Sequence, residues 1–234
     1  LGHEQPFFGL QSPESPARPG VSRIEDMAAL YTAALREVQP AGPYRIGGWS
    51  MGALVAFEMA RQIQEAGEEV ELLALLDPST PGHGPVSPDA APDLAALAAG
   101  FVQDLTGGAV ILPPEEARHW KEEKEAVAHL LRLGKSAGML PEDAEETLVS
   151  ELFGMYRHNV LALLGYRPGL FHGRAEIFRA TASRQADPAG SWGALITGGV
   201  GVHEIPGDHY SFLRASGVKV LAERLESCLG QERG

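Results

Sequence analysis

The sequence predicts an α/β protein in which a mostly parallel sheet is flanked by helices and carries a helical insertion. Three observations support this class. Apolar strand-like runs alternate with amphipathic helical segments, the order produced when helices connect parallel strands. The run VELLALLD at 70–77 is almost entirely apolar, as is typical of a strand buried on both faces. The stretch between Asp77 and Gly173 shows helical spacing but no clear strand, which indicates the insertion.

The individual elements follow from local patterns. Residues 5–10 (QPFFGL) predict a short strand. Ser22 and Glu25 have the spacing of a capping box and predict a helix that continues to about Val38. The other predicted core elements are a strand at 44–48, a helix at 51–66 closed by Gly67, strands at 70–77, 175–181 and 200–206, and a final helix at 212–228.

The insertion begins with a connection rich in Pro and Gly. Helical segments are then expected near 92–105, 114–133 and 142–164. These patterns predict a core formed by residues 1–85 and 166–234 and a helical insertion at 86–165. Insertions of this kind often serve as lids over a site.

Composition excludes several classes of function. The 234 residues include 44% hydrophobic and 21% charged residues, as expected for a globular chain. With 31 acidic and 19 basic residues the net charge is −12, which argues against binding nucleic acid. No apolar run approaches the ~18 residues of a membrane span. Cys228 is the only cysteine, so no internal disulfide and no thiolate metal cluster is expected, and a reducing, cytoplasmic setting fits.

The motif that carries chemistry is Gly48-Trp49-Ser50-Met51-Gly52, a G-x-S-x-G sequence. A predicted strand ends at its first glycine and a predicted helix starts at Met51, which is the strand–turn–helix context of a nucleophile elbow. We expect small residues two positions before and after Ser50 to allow the tight turn. The Met51 backbone N–H, at the helix N-terminus, would then stabilise an oxyanion. A glycine-rich turn with an N-capping serine is the structural alternative.

A nucleophilic serine needs a base and an acid that orients the base. Among eight histidines, His209 follows the last predicted strand and precedes the last helix, which places it at the same sheet edge as Ser50. Asp77, Asp187 and Asp208 all have the chain order Ser, acid, His. Asp208 is adjacent to the base and fits a turn residue better. Local reasoning does not separate Asp77 from Asp187.

Three segments resemble a known family. GPYRIGGWSMGALVAFEMARQI, LLALLD and IPGDHYSFL are similar to the thioesterase domains that terminate nonribosomal peptide synthetases and related polyketide hybrids, within the α/β-hydrolase superfamily. The resemblance covers nearly the whole chain and implies a triad of Ser50, Asp77 and His209. Ala53 stands where the family usually has a second glycine. The family's first strand and its HPxGG-like oxyanion loop are absent from this chain, so we expect the functional protein to extend further at its N-terminus.

The resemblance implies a thioesterase that releases an acyl or peptidyl chain, by hydrolysis or macrocyclisation, from a phosphopantetheinyl carrier domain. We expect that carrier in the same polypeptide and no cofactor or metal bound by the domain itself. Trp49 is expected to line an apolar substrate site. The basic segment 157–179 is a candidate docking surface for the carrier. The alternatives are a stand-alone editing thioesterase, a general carboxylesterase or lipase, and a non-catalytic scaffold of the same fold.

Overall fold

The computed structural model describes residues 5–11, 22–79, 93–183 and 188–231. The chain divides into two compact units. Of the described residues, 93–164 form one unit, which is helical. The rest form the other unit, which contains the sheet. In the described part of the chain, no helix is long and apolar enough to cross a membrane.

The sheet has four parallel strands in the described residues, which confirms the predicted fold class. They are β1 Tyr44–Trp49, β2 Val70–Leu76, β3 Ala175–Ala180 and β4 Val200–Ile205, and they lie side by side in that order. Trp49 pairs with Leu76, and Leu76 pairs with Phe178. Because all strands point the same way, the residues that follow them collect at one edge of the sheet.

The helices of the sheet-containing unit cover both of its faces. They are α1 Ile24–Val38, α2 Met51–Glu65, α7 Pro188–Gly193 and α8 Ala215–Gln231, with a 3₁₀ turn at Ser211–Leu213 before the last. α1 packs on α2, which packs on β1 and β2, and residues Ala53 to Ala60 of α2 are all buried. On α8, Leu221 and Cys228 join the core formed by Phe178 and Ile205.

The helical unit contains α3 Leu94–Thr106, α4 Pro114–Ala117, α5 Glu123–Ser136 and α6 Glu146–Gly165, whose last residue belongs to the other unit. Phe101 and Phe153 are buried at its centre, with ring centroids 5.5 Å apart. The single helix predicted at 114–133 is wrong. Two helices occupy this region, since α4 ends at Ala117 and α5 begins at Glu123. The Glu125 carboxylate, in the first turn of α5, accepts the backbone N–H of Lys121 at 2.6 Å and so holds the segment that separates the two helices.

The strand predicted at residues 5–10 is also wrong. This segment pairs with none of the described strands, and a strand requires a neighbour for its backbone groups. Phe7 and Phe8 are 81% and 70% exposed, so neither aromatic ring of this segment is buried.

The capping box predicted for Ser22 and Glu25 does not form, although the helix itself is confirmed. The N-cap residue is Arg23, so α1 begins one residue later than the box requires. The Asp26 carboxylate, now three residues into the helix, accepts the Ser22 N–H at 3.4 Å. Glu25 instead forms an ion pair with Arg23 at 2.5 Å.

Candidate active site

Ser50 lies in the turn between β1 and α2 in a strained backbone conformation. Its φ of 56° and ψ of −121° are unusual for a residue with a side chain. The Ser50 N–H donates to Leu76 O of β2 at 3.0 Å, which anchors the turn to the sheet. A Cβ on Gly48 would lie 2.0 Å from the Gly52 carbonyl oxygen, so the close approach requires glycine at position 48. A Cβ on Gly52 would meet nothing within 4 Å, so the expected steric need at that position is wrong.

Asp77 directly follows β2 and is also held at positive φ, at 41°. Its N–H donates to Phe178 O on β3 at 2.7 Å, so the residue is fixed between two strand ends. The side chain is buried and accepts hydrogen bonds from the Ala180 N–H at 3.0 Å and from Ser183 Oγ at 2.6 Å. These contacts leave the carboxylate little freedom to rotate.

His209 lies in the loop between β4 and the 3₁₀ turn and reaches both of these residues. Its Nδ1 is 2.7 Å from Asp77 Oδ2, and its Nε2 is 3.0 Å from Ser50 Oγ. The three side chains come from positions up to 159 residues apart in the chain. The sequence-predicted Ser50, Asp77 and His209 therefore form one continuous row of hydrogen bonds at the sheet edge.

The other candidate acids behave differently. Asp208 Oδ1 accepts the backbone N–H groups of Tyr210 and Ser211 at 3.0 and 2.8 Å, which is the turn role expected for it. These backbone hydrogen bonds lower the pKa of Asp208. Asp187 lies outside the described residues. Among the described candidates, Asp77 is the one hydrogen-bonded to the imidazole.

The electrostatics of Asp77 favour its charged form. Burial raises the pKa of the Asp77 carboxyl, but hydrogen bonds from His209, Ser183 and the Ala180 N–H outweigh it, so the pKa lies below its ordinary value. A carboxylate that stays ionised fixes the tautomer of the imidazole, with the proton on Nδ1 and the lone pair on Nε2 directed at Ser50.

Two aromatic rings surround the imidazole. The Trp49 indole stacks on His209, with centroids 5.1 Å apart and planes inclined by 29°. Tyr210 meets the same imidazole edge to face at 5.1 Å. Trp49 remains 38% exposed, so one part of its surface is free for other contacts. The sequence predicts Trp49 as a residue that lines the substrate site, but it does not reveal the stacking of Trp49 on His209.

This arrangement supports nucleophilic acyl chemistry. Ser50 Oγ has an acceptor for its proton in His209 Nε2, and Asp77 balances the charge that the imidazole would gain. Met51 is the first residue of α2, so its backbone N–H lies at the positive end of the helix dipole, directly after the serine. Ser183 was not anticipated, because no motif marks it and only the folded chain brings it to Asp77.

Comparison with known proteins decides the family. The family model described as "Thioesterase domain" matches residues 3–229. The chain belongs to the thioesterase domain family. This thioesterase domain is 34% identical to chondramide synthase cmdD of Chondromyces crocatus and 33% identical to a dimodular nonribosomal peptide synthase of Bacillus subtilis. The matches cover 96% and 97% of this chain but only 6% and 9% of those relatives, so it spans less than a tenth of their length.

Solved structures agree with the fold of this thioesterase domain. A four-domain nonribosomal peptide synthetase, holo-AB3403 bound to AMP and glycine, matches with a TM-score of 0.80 and 27% identity over 92% of this chain and 17% of the synthetase. The NocB thioesterase domain in covalent complex with a fluorophosphonate nocardicin G analog matches with a TM-score of 0.61 and 24% identity, covering 94% of this chain and 82% of that one. The second likeness supports the α/β-hydrolase fold alone.

Proposed function

We propose that this thioesterase domain releases an acyl or peptidyl chain from the phosphopantetheine thiol of a carrier domain through an ester on Ser50. The observation that carries the proposal is the row of hydrogen bonds from Ser50 Oγ through His209 to Asp77. Family membership supports thioester chemistry. The large relatives, one of which is named a dimodular nonribosomal peptide synthase, support a substrate delivered by another domain of the same polypeptide.

In the first half-reaction, Ser50 Oγ attacks the thioester carbonyl carbon and its proton passes to His209 Nε2. The imidazolium that forms is stabilised by Asp77, which accepts the Nδ1–H. The carbonyl oxygen becomes an oxyanion, for which we assign the Met51 N–H as one donor. The C–S bond then breaks, Nε2 returns the proton to the departing pantetheine thiolate, and the acyl group remains on Ser50 as an ester.

In the second half-reaction, a water molecule or a hydroxyl or amine of the bound chain attacks the ester carbonyl. Its proton passes to His209 Nε2 as the new bond forms. The tetrahedral intermediate collapses, the bond to Ser50 Oγ breaks, and the serine takes the proton back from Nε2. Water gives the free acid, and an internal nucleophile gives a ring.

The ion pairs of the basic segment 157–179 make it a less favourable docking surface for the carrier than its residue composition suggests. Arg157 pairs with Glu123, Arg174 with Glu176 at 2.7 Å, and Arg179 with Glu204 at 2.6 Å. With these charges already compensated and a chain net charge of −12, an apolar contact is the better basis for the interaction.

The test is release of product from a loaded carrier domain. We expect Ser50→Ala to lower the rate of release on the order of 10⁶-fold. Ser227→Ala is the matched control, because the Ser227 hydroxyl donates only to Glu223 O of its own helix at 2.9 Å. Free product is measured by mass spectrometry. Unchanged release by the Ser50→Ala variant would contradict the proposal, whereas turnover of simple oxygen esters without turnover of carrier thioesters would indicate a carboxylesterase.

A further inference from the structure

A second group of reactive side chains lies on the sheet face that α8 covers. Glu176 is on β3, His203 is on β4, and Cys228 is on α8. One ligand atom from each of them lies within 4.8 Å of the other two. The pairing of Glu176 with Gly201 explains how they meet, since a Cβ on Gly201 would lie 1.9 Å from Glu176 Oε2. The glycine therefore leaves the space through which the carboxylate reaches His203.

The contacts within this group converge on one imidazole nitrogen, unlike those of a catalytic relay. Glu176 Oε2 and Cys228 Sγ both contact the same nitrogen, His203 Nε2, at 2.7 and 3.7 Å. A nucleophile, base and acid would instead use the two different ring nitrogens. Zinc bonds of ~2.0–2.3 Å at tetrahedral angles require separations of ~3.5 Å between S and N and ~3.4 Å between N and O. The S–N separation of 3.7 Å nearly meets this requirement. The N–O separation of 2.7 Å must lengthen by about 0.7 Å to meet it.

The surroundings suit a bound cation. Glu176 and Cys228 are buried, at 8% and 7% exposure, while His203 is partly exposed and offers a path from solvent. The Phe178 ring stacks on the imidazole at 4.8 Å and 18°, which fixes its plane. Arg174 Nε donates to Glu176 Oε1 at 2.7 Å, so the other oxygen, Oε2, is the one directed at His203.

We propose that Glu176, His203 and Cys228 bind a Zn²⁺ ion that ties α8 to β3 and β4. Thiolate, imidazole and carboxylate are the ligand types that zinc takes in proteins, and three of them leave a fourth position for water. Binding at Nε2 requires the proton of the neutral imidazole to lie on Nδ1, and the thiol proton of Cys228 is released to solvent. The site is separate from Ser50 and His209 and does not depend on the proposed thioesterase reaction.

The test uses tag-free protein titrated with Co²⁺, a spectroscopic substitute for zinc. We expect one equivalent to bind with a thiolate charge-transfer band in the near ultraviolet, and Zn²⁺ to displace it and raise the melting temperature. Cys228→Ser should abolish the band, and His203→Gln should weaken binding at least ~10-fold, since even outer-shell changes cost ~10–100-fold. His172→Gln is the control, because that imidazole contacts Thr197 Oγ1 instead.

The two ligand variants provide independent checks, and circular dichroism without metal verifies that each is folded. Absence of the thiolate band from the wild-type protein would overturn the proposal. So would a His203→Gln variant that binds cobalt as tightly as wild type with the band intact. A His209→Ala variant that keeps the band would support a site distinct from the Ser50 row, whereas loss of the band in that variant would contradict the proposal.

Discussion

Asp77 is the residue on which the geometry of the site depends most. It receives hydrogen bonds from an imidazole, a hydroxyl and a backbone N–H, and its own N–H is bound to the next strand. Local sequence left it equivalent to Asp187, because both follow a strand and precede His209. The family resemblance favoured Asp77, and the contact with His209 Nδ1 agrees with that choice.

We predict that Asp77→Asn lowers kcat on the order of 10⁴-fold, because an amide no longer holds the reactive tautomer or balances the imidazolium. Asp208→Asn is the matched control. Asparagine supports the same turn by accepting the same backbone N–H groups, so we expect a change smaller than ~10-fold there. Steady-state kinetics on an acyl thioester distinguish the two. Equal losses in both variants would show that the acid is not Asp77 alone.

Substitution of Trp49 distinguishes two roles for this residue that the sequence does not separate. A residue that only lines the substrate site would change KM, whereas a ring that supports the imidazolium of His209 would change kcat. We predict that Trp49→Leu lowers kcat by about 2–30-fold, the equivalent of ~0.5–2 kcal/mol for a cation over an aromatic ring. Trp49→Phe should retain much of the rate. A change confined to KM would assign Trp49 to substrate binding only.

At the scale of elements, periodicity located β1, α2, β2, β3 and β4 to within a residue or two. Those patterns succeeded because each element buries a continuous face. The strand at 5–10 failed because strand formation depends on a partner that no local pattern encodes. The capping box failed because Asp26 competes with Glu25 for the N-terminus of α1, and a shift of one residue decides between them.

The two glycines that flank Ser50 in the turn between β1 and α2 are expected to respond differently to substitution by alanine. Gly48→Ala forces a Cβ against the Gly52 backbone, which cannot move without distorting the elbow, so we expect a loss of about 1–3 kcal/mol in the free energy of unfolding. Gly52→Ala has open space and a helical backbone, so we expect a gain of ~0.4–1 kcal/mol. Urea denaturation measures both. Similar effects of the two substitutions would contradict the steric account.

Helix α2 also carries a buried carboxylate, Glu58, whose oxygens accept hydrogen bonds from Arg61, Gln62 and the Tyr166 hydroxyl at 2.8–2.9 Å. Burial raises the pKa of Glu58, but these donors outweigh it and hold the pKa below its ordinary value of 4.5. The stabilisation is therefore fully present above pH 4.5 and is lost as the pH falls through the lower pKa of the folded state.

We predict that Glu58→Gln lowers the free energy of unfolding at pH 7 by about 1–3 kcal/mol, because Arg61 loses its buried partner. The difference from wild type should begin to shrink below pH 4.5 and should vanish as the pH falls through the lower pKa of the folded state, where wild-type Glu58 also becomes neutral. Glu65→Gln is the control, since its side chain is 63% exposed and should matter by less than ~0.5 kcal/mol. A difference that stays constant with pH would contradict this account.

At the scale of the whole molecule, the alternation of strand and helix patterns was enough to predict the parallel sheet and the helical insertion. The four strands and the family match confirm this class. Ser183 and the stacking of Trp49 could not be predicted, because they depend on loops that meet only after the strands are aligned. The sequence does not predict the mixed group of Glu176, His203 and Cys228 either, and the single cysteine excludes only sites made of several thiolates.

The decisive step of the proposed reaction is the formation of an ester between the chain released from the carrier and Ser50. The most direct measurement mixes this domain with a loaded carrier domain, quenches the reaction in acid during the first turnover, and follows the acyl group by peptide mass spectrometry. We predict that the acyl mass appears on the peptide containing Ser50 as the carrier loses it. If the carrier loses its chain while Ser50 stays unmodified at every time point, or if another residue carries the acyl group, the account is contradicted.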